Sequence, residues 1–363
     1  MKIAFGILSS TEHPGAVAQL ADALGTAHPI VVHHDFGKQP SACRPRPNLR
    51  FVPLPARTGW GEWSLCEAIL RLVEAALKDR EWEYFQLLSG SCLPVQPIAA
   101  FESFVARRSA DVHMDLAGLD ADADLMMSHG WRAYAPAGTL RIRALRGLRA
   151  AYLGGHATTV ARHGLGVALP ADDRPRAARA RLAASALRAA SRLSLGGRLH
   201  PFHDGLGCFV GSTWFGASRP ACDYLVSRRD DDRLRRWFRQ VHAPDEFYFQ
   251  TVFGNADFEI GESNHLVAPF QGAHPARWAV ADLPALLGSG RFFARKFPDH
   301  PDAPVRRAVL EQVGALPVRT AQPVWRGTAP PRGVATRTIA PRPAPAPTVR
   351  PPVWWPTTTF RPG

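Results

Sequence analysis

The stretch APDEFYFQTVFG, Ala243 to Gly254, places two adjacent acids, Asp245 and Glu246, before an aromatic and apolar run. Two kinds of chemistry suit this pattern. Acids in a first helical turn complement the partial positive charge of the helix N-terminus, and proline is well tolerated there. A carboxylate held in a partly apolar wall can instead act as a general base, because burial raises its basicity. These residues alone favour the helix-terminus interpretation.

The cysteines and the remaining acids form no clear metal or redox motif. The five cysteines are scattered and contain no CxxC pair, which is typical of reduced thiols in a cytoplasmic protein. The sequence DADAD, Asp120 to Asp124, contains Asp-x-Asp twice and would suit a metal ion, but its polar surroundings favour a loop. We therefore expect no metal site and no cofactor.

Alternating apolar segments predict the elements that must position any site in the N-terminal half. KIAFGIL, HPIVVHHD and EWEYFQLLSG are typical of buried strands, while AVAQLADALG and SLCEAILRLVEAALKD are typical of amphipathic helices. This order predicts an α/β domain with a parallel central sheet. Ligands of such sheets bind beyond the carboxyl ends of the strands, which here means near Asp35 and near Ser89-Gly90.

The net charge of +13 indicates acidic partners, such as nucleic acid, anionic lipid or phosphorylated substrates. An Ala/Arg/Leu-rich segment, residues 173–199, predicts a basic helical insertion packed on the domain, with peripheral contact to an anionic membrane as the alternative. The arginines are not interleaved with aromatics, and we find no nucleic-acid-binding module. We expect no nucleic acid partner, and a basic nucleic-acid-binding protein remains the alternative of another class.

The two ends of the chain differ in character. The apolar start, MKIAFGILSS, is too short for a signal peptide, and no apolar run approaches the roughly 20 residues that span a bilayer. The sequence therefore predicts a cytoplasmic protein, with peripheral association at the inner membrane face left open. Residues 318–363 are rich in Pro, Arg and Thr without helical or strand periodicity, which predicts a disordered tail.

Four blocks, taken in order, resemble the Branch family of glycosyltransferases. They are EYFQLLSGSCLPVQP (Glu83 to Pro97), GSTWFGASRPACDYL (Gly211 to Leu225), APDEFYFQTVFG, and HPARWAVADLPALLGSGRFFARKF (His274 to Phe297). That family contains the core-2/I-branching β-1,6-N-acetylglucosaminyltransferases, the peptide O-xylosyltransferases and many bacterial members. HHDFGK and GWGEWSLCEA match as well, so the resemblance covers nearly all of residues 1 to 300.

The resemblance implies a GT-A-like α/β domain over residues 1–317, with a nucleotide-binding half at about 1–110 and an acceptor and catalytic half at about 111–300. It also implies an inverting transfer from a UDP-sugar to a hydroxyl of a glycan or glycoconjugate, without an essential metal. N-acetylglucosamine is the expected sugar, and xylose is the alternative. Such a displacement needs a base for the acceptor hydroxyl and positive charge for the departing diphosphate.

The resemblance assigns the chemistry to acids and bases of the last two blocks. Glu246 corresponds to the family's catalytic base, and Asp245 lies beside it on the acceptor side. Arg277 and Lys296 correspond to the basic residues that hold the donor diphosphate, with Arg295 as a neighbouring alternative. A lysine acts there as a point charge, whereas an arginine can bind two phosphate oxygens.

The remaining implied residues surround the nucleoside and the acceptor. On the nucleoside side fall Asp35, Glu67, Ser89 and Gly90. The alternative for Asp35 is an acid that only forms a turn, and the alternative for Glu67 is an exposed helix position. On the acceptor side fall Arg132, Ser212 and Trp214, and Trp214 could equally belong to the core. An aromatic stretch common in the family reads HLVAPFQGAHP here, which leaves the acceptor open. A glycan-binding protein without activity is a further alternative, but the retained Glu246 and Lys296 argue against it.

Overall fold

The structure, a computed structural model, describes most of the chain up to residue 315. The described residues are 1–119, 125–134, 161–162, 165–166, 185, 201–202, 205–271, 274–315 and 325–326. The candidate metal loop, Asp120 to Asp124, lies outside the described residues. So do the basic segment 173–199, apart from the helical and exposed Ser185, and residues 318–363 apart from 325–326.

Strands and helices alternate along the first half of the chain, as the apolar pattern predicts. The described strands are β1 (Ile3–Ser9), β2 (Ile30–His34), β3 (Ser41–Ala42), β4 (Leu49–Phe51), β5 (Tyr84–Ser89), β6 (Leu93–Pro94), β7 (Val112–Met114), β8 (Ala117–Gly118), β9 (Ala161–Arg162), β10 (Leu165–Gly166), β11 (Phe209–Val210), β12 (Phe215–Ser218), β13 (Ile260–Gly261), β14 (Leu266–Val267), β15 (Phe270–Gln271), β16 (His274–Pro275), β17 (Phe293–Ala294) and β18 (Trp325–Arg326). The described α-helices are α1 (Pro14–Ala23), α2 (Trp63–Leu77), α3 (Ile98–Arg107), α4 (Trp131–Tyr134), α5 (Arg219–Ser227), α6 (Asp232–Phe238), α7 (Tyr248–Gly254), α8 (Leu283–Leu287) and α9 (Pro304–Gln312).

The central sheet has seven strands in the order β13-β7-β12-β5-β1-β2-β4. Strands β5, β1, β2 and β4 run parallel to their neighbours within this group, and β13 runs parallel to β7. Strand β12 lies antiparallel between β5 and β7. The predicted α/β fold with a mostly parallel central sheet is therefore confirmed.

The central strands are buried along their whole length. All residues of β2 and β5 are buried, and in β1 only Leu8 is partly exposed. Parallel strands read as continuous apolar runs because helices cover both faces of the sheet. The helix α2 packs against β1 and β2 through a buried face that includes Ile69, Leu70 and Val73.

Helix α1 begins where its sequence predicts. The Nδ1 atom of His13 accepts a hydrogen bond from the Gly15 amide at 3.0 Å, and Pro14 occupies the first helical turn. Proline suits this position because its missing N–H would have no intrahelical partner there. The preceding turn follows the carboxyl end of β1, so the helix start lies beside the sheet edge where ligands of this fold class bind.

A smaller sheet of order β14-β17-β6 brings the C-terminal block to that edge. Strand β17 pairs antiparallel with β6, which follows β5 by a short turn. The Phe297 amide donates to the Ser91 carbonyl at 2.9 Å, and the Arg295 amide donates to the Val267 carbonyl at 2.9 Å. These bonds place the sequence ARKF directly against the turn that ends β5.

All five cysteines are buried and unbridged. Burial raises the pKa of the Cys43, Cys66, Cys92 and Cys222 thiols, that of Cys43 to about 11, so these groups stay protonated at neutral pH. Within the part of the chain that the structure describes, no helix is long and apolar enough to cross a membrane. Strand β18 pairs antiparallel with β3 and lies inside the segment whose composition predicts disorder.

Candidate functional site

The carboxyl ends of β1, β2 and β5 meet at one edge of the sheet. Hydrogen bonds between the turns join these ends: the Ser9 hydroxyl lies 3.0 Å from Nδ1 of His34, and the Gly90 amide donates to the Leu8 carbonyl at 2.8 Å. The side chains that carry the candidate chemistry gather around this edge, as the rule for open α/β sheets predicts.

The two adjacent acids sit on a single turn of 3₁₀ helix, Pro244–Glu246. Before it, Ala243 adopts a left-handed conformation with φ of 52°, and its amide donates to the Gly61 carbonyl at 2.9 Å. A non-glycine residue in this region carries strain that the surrounding structure must offset. After it, the Gly211 amide donates to the Glu246 carbonyl at 3.0 Å. The turn is therefore fixed from both sides.

Glu246 forms an ion pair with Arg132. The Nη2 atom of Arg132 donates to Oε2 of Glu246 at 2.7 Å, and the guanidinium also lies over the Phe247 ring, 4.8 Å from its centroid. The Arg132 side chain is 10% exposed and the Glu246 side chain 32%. Among the described residues, Oε1 of Glu246 has no hydrogen-bond partner. One carboxylate oxygen is thus held in place while the other remains accessible to a ligand.

Asp245 has a different environment from its neighbour. Its side chain is buried, and its Oδ2 atom accepts a hydrogen bond from the Thr213 hydroxyl at 2.6 Å. Burial and the adjacent negative charge of Glu246 raise the pKa of Asp245 to about 6, while the bond from Thr213 and the charge of Arg132 oppose that rise. Asp245 anchors the turn to the GSTW loop.

The aromatic run after the acids packs into the protein. Tyr248 meets Trp63 with ring centroids 4.9 Å apart, and Phe249 meets Phe215 at 5.5 Å. Both side chains are fully buried. The run therefore fixes α7 in the core, and Phe247 is the ring that contacts the guanidinium of Arg132.

Arg295 extends the site toward β5. Its guanidinium lies over the Trp214 ring, 4.6 Å from the centroid, and Trp214 adjoins Thr213 in sequence. Burial lowers the pKa of Arg295, while Cys92, Glu12 and Asp245 act in the other direction. Its Nε atom is buried without a hydrogen-bond partner among the described atoms. The Arg295 side chain is partly exposed as a whole, and its unused donor suits it to an anionic ligand.

Lys296 and Arg277 lie on neighbouring backbone. The Trp278 amide donates to the Lys296 carbonyl at 3.1 Å, and Nε1 of Trp278 donates to the Arg295 carbonyl at 3.0 Å. The Lys296 side chain is partly exposed and forms no ion pair with any described residue. Arg277 is 57% exposed and pairs with Asp299 at 2.7 Å, so its charge is partly compensated.

The end of β5 offers hydroxyl groups. Oγ of Ser89 lies 2.9 Å from Oγ of Ser91 and 3.1 Å from Sγ of Cys92. A Cβ atom at Gly90 would approach the Glu12 side chain and Val17 to 3.2 Å, so glycine fits this position most easily. The expected nucleoside-side residues Ser89 and Gly90 therefore lie in the same cluster as Arg295.

Asp35 stabilises a loop. Its Oδ1 atom accepts from the Gly37 amide at 3.0 Å, and its Oδ2 atom accepts from the amide and hydroxyl of Thr58 at 2.8 and 2.9 Å. Burial by itself would raise the pKa of Asp35, but the bonds from Thr58 and Gly37 and the nearby charge of Lys38 lower it overall. The structure places Asp35 at the edge of the sheet with both oxygens already engaged.

Glu67 lies within a cluster of arginines. Its Oε1 atom accepts from Arg71 at 3.0 Å and from Arg229 at 2.5 Å, and Arg235 lies 3.8 Å from Oε2. Burial would raise the pKa of Glu67, but the hydrogen bonds and charges of Arg71 and Arg229 lower it overall. The structure thus uses Glu67 to join α2 to the segment between α5 and α6.

Three polar residues that the sequence did not single out connect the acceptor-side residues. Nδ2 of Asn264 donates to Oδ2 of Asp115 at 2.7 Å and to Oγ of Ser212 at 3.0 Å. Thr213 holds Asp245, as described above. Thr213 could have been found from the sequence, because it lies inside the GSTW block. Asp115 and Asn264 could not, because only tertiary contacts bring them to Ser212.

The described part of the chain contains no group of three or more His, Cys, Asp or Glu side chains placed to hold a metal ion. What the cluster does offer is a partly accessible carboxylate at Glu246, a buried carboxyl at Asp245, and the cations Arg295 and Lys296 a short way along the same edge. Such a set can accept a proton and bind an anion.

The family model for "Core-2/I-Branching enzyme" matches residues 28–114. This range includes Asp35, Glu67, Ser89 and Gly90 and ends before the acids at 245 and 246. No curated protein sequence matches the chain. Among solved structures, the chain is similar to the galactosyltransferase LgtC in complex with donor and acceptor sugar analogs, at 9% identity and a TM-score of 0.36 over 88% of this chain and 98% of that one.

Proposed function

We propose that the chain is an inverting glycosyltransferase that transfers a sugar from a UDP-sugar to a hydroxyl of a glycan or glycoconjugate. N-acetylglucosamine is the sugar we assign first, and xylose is the alternative within the same reaction. The family match over residues 28–114 supports this class of enzyme. The site itself supports the proposed mechanism.

The proposal depends most on one observation: the two carboxylate oxygens of Glu246 have different environments. Arg132 holds Oε2 at 2.7 Å, while Oε1 has no partner among the described residues. A general base must be oriented and must also keep one oxygen within hydrogen-bond reach of the proton that it takes. The Glu246–Arg132 pair meets both conditions at the edge of the sheet where ligands of this fold class bind.

In the proposed step, Oε1 of Glu246 accepts the proton of the acceptor hydroxyl as that oxygen attacks the anomeric carbon of the donor. The bond between the sugar and the β-phosphate breaks on the opposite face, and UDP leaves with the electron pair. Trp214 belongs to the buried core at 8% exposure, and its ring supports the Arg295 guanidinium beside the acids rather than offering a free face to a sugar.

Negative charge develops on the β-phosphate as the bond breaks, so the site must supply positive charge there. Lys296 is partly exposed and unpaired among the described residues, and Arg295 keeps an unused buried donor. Arg277 is exposed and shares its charge with Asp299. We therefore assign the diphosphate first to Lys296 and Arg295, with Arg277 at the rim.

A donor panel tests the function. Purified protein is incubated with UDP-GlcNAc, UDP-xylose, UDP-galactose and UDP-glucose, and UDP release is measured with and without EDTA. We expect release from one or two donors and an unchanged rate in EDTA. If EDTA abolishes release and manganese restores it, the metal-free mechanism is wrong; if no donor is hydrolysed or transferred and UDP does not bind, the proposed class is wrong.

A measurement of UDP binding tests whether Lys296 binds the diphosphate specifically or only adds to the positive charge of the protein. Lys296→Ala should weaken UDP binding about tenfold or more, because a charge-assisted contact contributes roughly 1.5–3 kcal/mol. Lys78→Ala removes an exposed lysine at the end of α2 and serves as the matched control. Equal UDP affinity in both variants would remove Lys296 from the donor site.

A further inference from the structure

A cavity lies at the opposite end of the strands from the candidate active site. It has a volume of about 500 Å³ and is formed by the end of α3, strand β7 and the loops before β14 and β17. This volume is within the range of small-molecule sites. Two of its lining residues, His113 and His265, contact the hydroxyl of Tyr84, the first residue of β5, whereas Ser89 ends that strand at the candidate active site. Five strand residues correspond to about 16 Å, so the two sites are distinct.

The segment between β13 and β14 separates the two sites. Ser263 and His265 line the cavity, while Asn264 between them donates to Asp115 and Ser212 near the candidate active site. His265 adopts a left-handed conformation with φ of 69°, which turns the chain between these two directions. Occupancy of the cavity would therefore not require any residue of the proposed donor site.

The cavity wall carries a positive charge that the described residues do not neutralise. Arg107, Arg108 and Arg291 line it, and none of the three forms an ion pair with a described carboxylate. Arg108 donates to the Val105 carbonyl at 2.7 Å, and Arg291 donates to the Ser263 hydroxyl. Glu262 is the one acid among the lining residues and is exposed.

Two of the three arginines have a structural explanation at the C-terminus of α3. Basic residues at the end of a helix complement its partial negative charge, and this applies to Arg107 and Arg108 at the end of α3. It does not apply to Arg291, which lies in the loop before β17. Three arginines from two separate segments thus line one cavity, and such a lining suits an oxyanion with several acceptor oxygens.

Two lining residues are histidines that share hydrogen bonds with the Tyr84 hydroxyl. The Tyr84 hydroxyl lies 2.9 Å from Nδ1 of His113 and 3.2 Å from Nε2 of His265. The hydroxyl has one proton, so one imidazole accepts from it and the other donates to it. Since burial lowers the pKa of both rings, that of His113 to about 4, both are neutral at neutral pH. Their two remaining ring nitrogens are then one donor and one acceptor.

Aromatic rings complete the walls. Phe104 and Phe292 line the cavity with their centroids 5.2 Å apart, and both also contact the His265 ring. Such surfaces pack against the apolar face of a small ring. The lining therefore combines three cations, a paired donor and acceptor, and an aromatic side.

We propose that this cavity binds a phosphate monoester carried on a small hydroxylated ring, at a site separate from the proposed UDP-sugar site. The arginines hold the phosphate oxygens, the imidazole nitrogens hydrogen-bond to ring hydroxyls, and Phe104 and Phe292 pack on the ring. The proposal does not depend on the proposed transferase activity, because none of its residues belongs to the donor or acceptor set.

Isothermal titration of the full chain with glucose 6-phosphate tests the proposal, with glucose and inorganic phosphate as matched probes. We expect glucose 6-phosphate to bind more tightly than inorganic phosphate, which lacks the ring, and glucose alone to show no binding. Equal affinity for inorganic phosphate and the ester would overturn the role of the aromatic wall. Equal affinity for glucose would overturn the role of the arginines.

Variants locate the binding. Arg107→Gln, an exposed position whose loss should not affect folding, should weaken binding of the ester about tenfold, and so should Arg291→Gln. Arg236→Gln, which changes a 76%-exposed arginine on α6, should bind as the wild type does. Lys296→Ala should leave binding of the ester unchanged while weakening UDP binding. Loss of ester binding in Lys296→Ala with retention in Arg107→Gln would place the ligand in the donor site and contradict the second site.

Discussion

Asp245 and Glu246 are adjacent in sequence, but their carboxyl groups lie in different environments. Thr213 and the protein interior surround Asp245, whereas Glu246 faces Arg132 and solvent. Desolvation and a neighbouring negative charge both disfavour a second ionised carboxylate. The pair therefore divides into a buried acid, whose pKa is raised to about 6, and a partly exposed acid with one oxygen accessible to a ligand.

The raised pKa of Asp245 predicts a pH dependence of stability. Its pKa in the folded state is about 6, above the ordinary value of 3.8, so the folded protein binds more protons than the unfolded chain between these values. The free energy of unfolding should then fall by about 2–3 kcal/mol from this group as the pH rises from about 4 to about 6.

Asp245→Asn should remove that fall, because the amide cannot ionise and its oxygen can still accept the bond from Thr213. Urea unfolding at several pH values measures the difference between the variant and the wild type. Asp257→Asn, at an exposed position, is the control and should retain the wild-type slope. The same slope in Asp245→Asn and the wild type would contradict the burial of an ionisable carboxyl.

At the scale of elements, the strands and helices near the N-terminus follow directly from the apolar pattern. KIAFGIL and SLCEAILRLVEAALKD form β1 and α2 within two residues of the predicted ends, because continuous apolar runs and a 3.6-residue period are strong signals. The two-residue strands β6 and β17 carry no such signal. They form because the chain returns to the end of β5, and that contact is visible only in the folded protein.

In the candidate site, too, the sequence predicts individual residues but not their side-chain partners. The sequence identifies Glu246 and Lys296 through the blocks that contain them, but it gives no sign that Arg132 would contact Glu246 at a separation of 114 residues. It also assigns Glu67 and Asp35 to a nucleoside site, while the structure engages their oxygens with Arg229 and Thr58. Side-chain partners that are distant in sequence depend on tertiary packing, which a single sequence does not specify.

Helix α9 is anchored to α1 by one buried arginine. Arg306 is fully buried, and its guanidinium donates to Oε1 of Gln19 at 2.6 Å, to the Ala16 carbonyl at 3.0 Å and to the Pro298 carbonyl at 3.2 Å. Burial lowers the pKa of Arg306 to about 10, which still leaves it charged at neutral pH. The anchor holds the chain that immediately follows Lys296.

Arg306→Met should lower the free energy of unfolding by about 2–4 kcal/mol, because it leaves two buried acceptors and one partly buried acceptor without their donor. Arg307→Met changes the exposed neighbour on the same helix and should alter stability by less than about 0.5 kcal/mol. Chemical denaturation measures both. Similar stability of the two variants would show that Arg306 does not anchor α9.

At the scale of the whole molecule, the composition changes near residue 317, and the C-terminal region is expected to contribute little to the domain. Within that region the described pair Trp325–Arg326 forms β18 against β3. Two truncations separate the contributions: one after Pro317 removes β18, and one after Ala329 retains it.

We expect the truncation after Ala329 to keep the wild-type melting temperature and turnover, since the contacts of the first compact unit, Met1–Ala329, remain. The truncation after Pro317 should lower the melting temperature by a few degrees at most, because it removes one two-residue pairing. Thermal unfolding monitored by circular dichroism gives both values. A large drop for the longer truncated chain would show that residues 330–363 stabilise the domain.

The central claim is that Glu246 is the general base of a UDP-sugar-dependent transferase. The most direct measurement compares transfer and UDP binding in Glu246→Gln with those in the wild type, with the donor that the panel identifies. The substitution keeps the size of the side chain and an oxygen that can accept from Arg132, but it removes the group that takes the proton. We predict unchanged UDP affinity and transfer reduced by a factor of about 10²–10⁴. Near-wild-type transfer in Glu246→Gln would contradict the account.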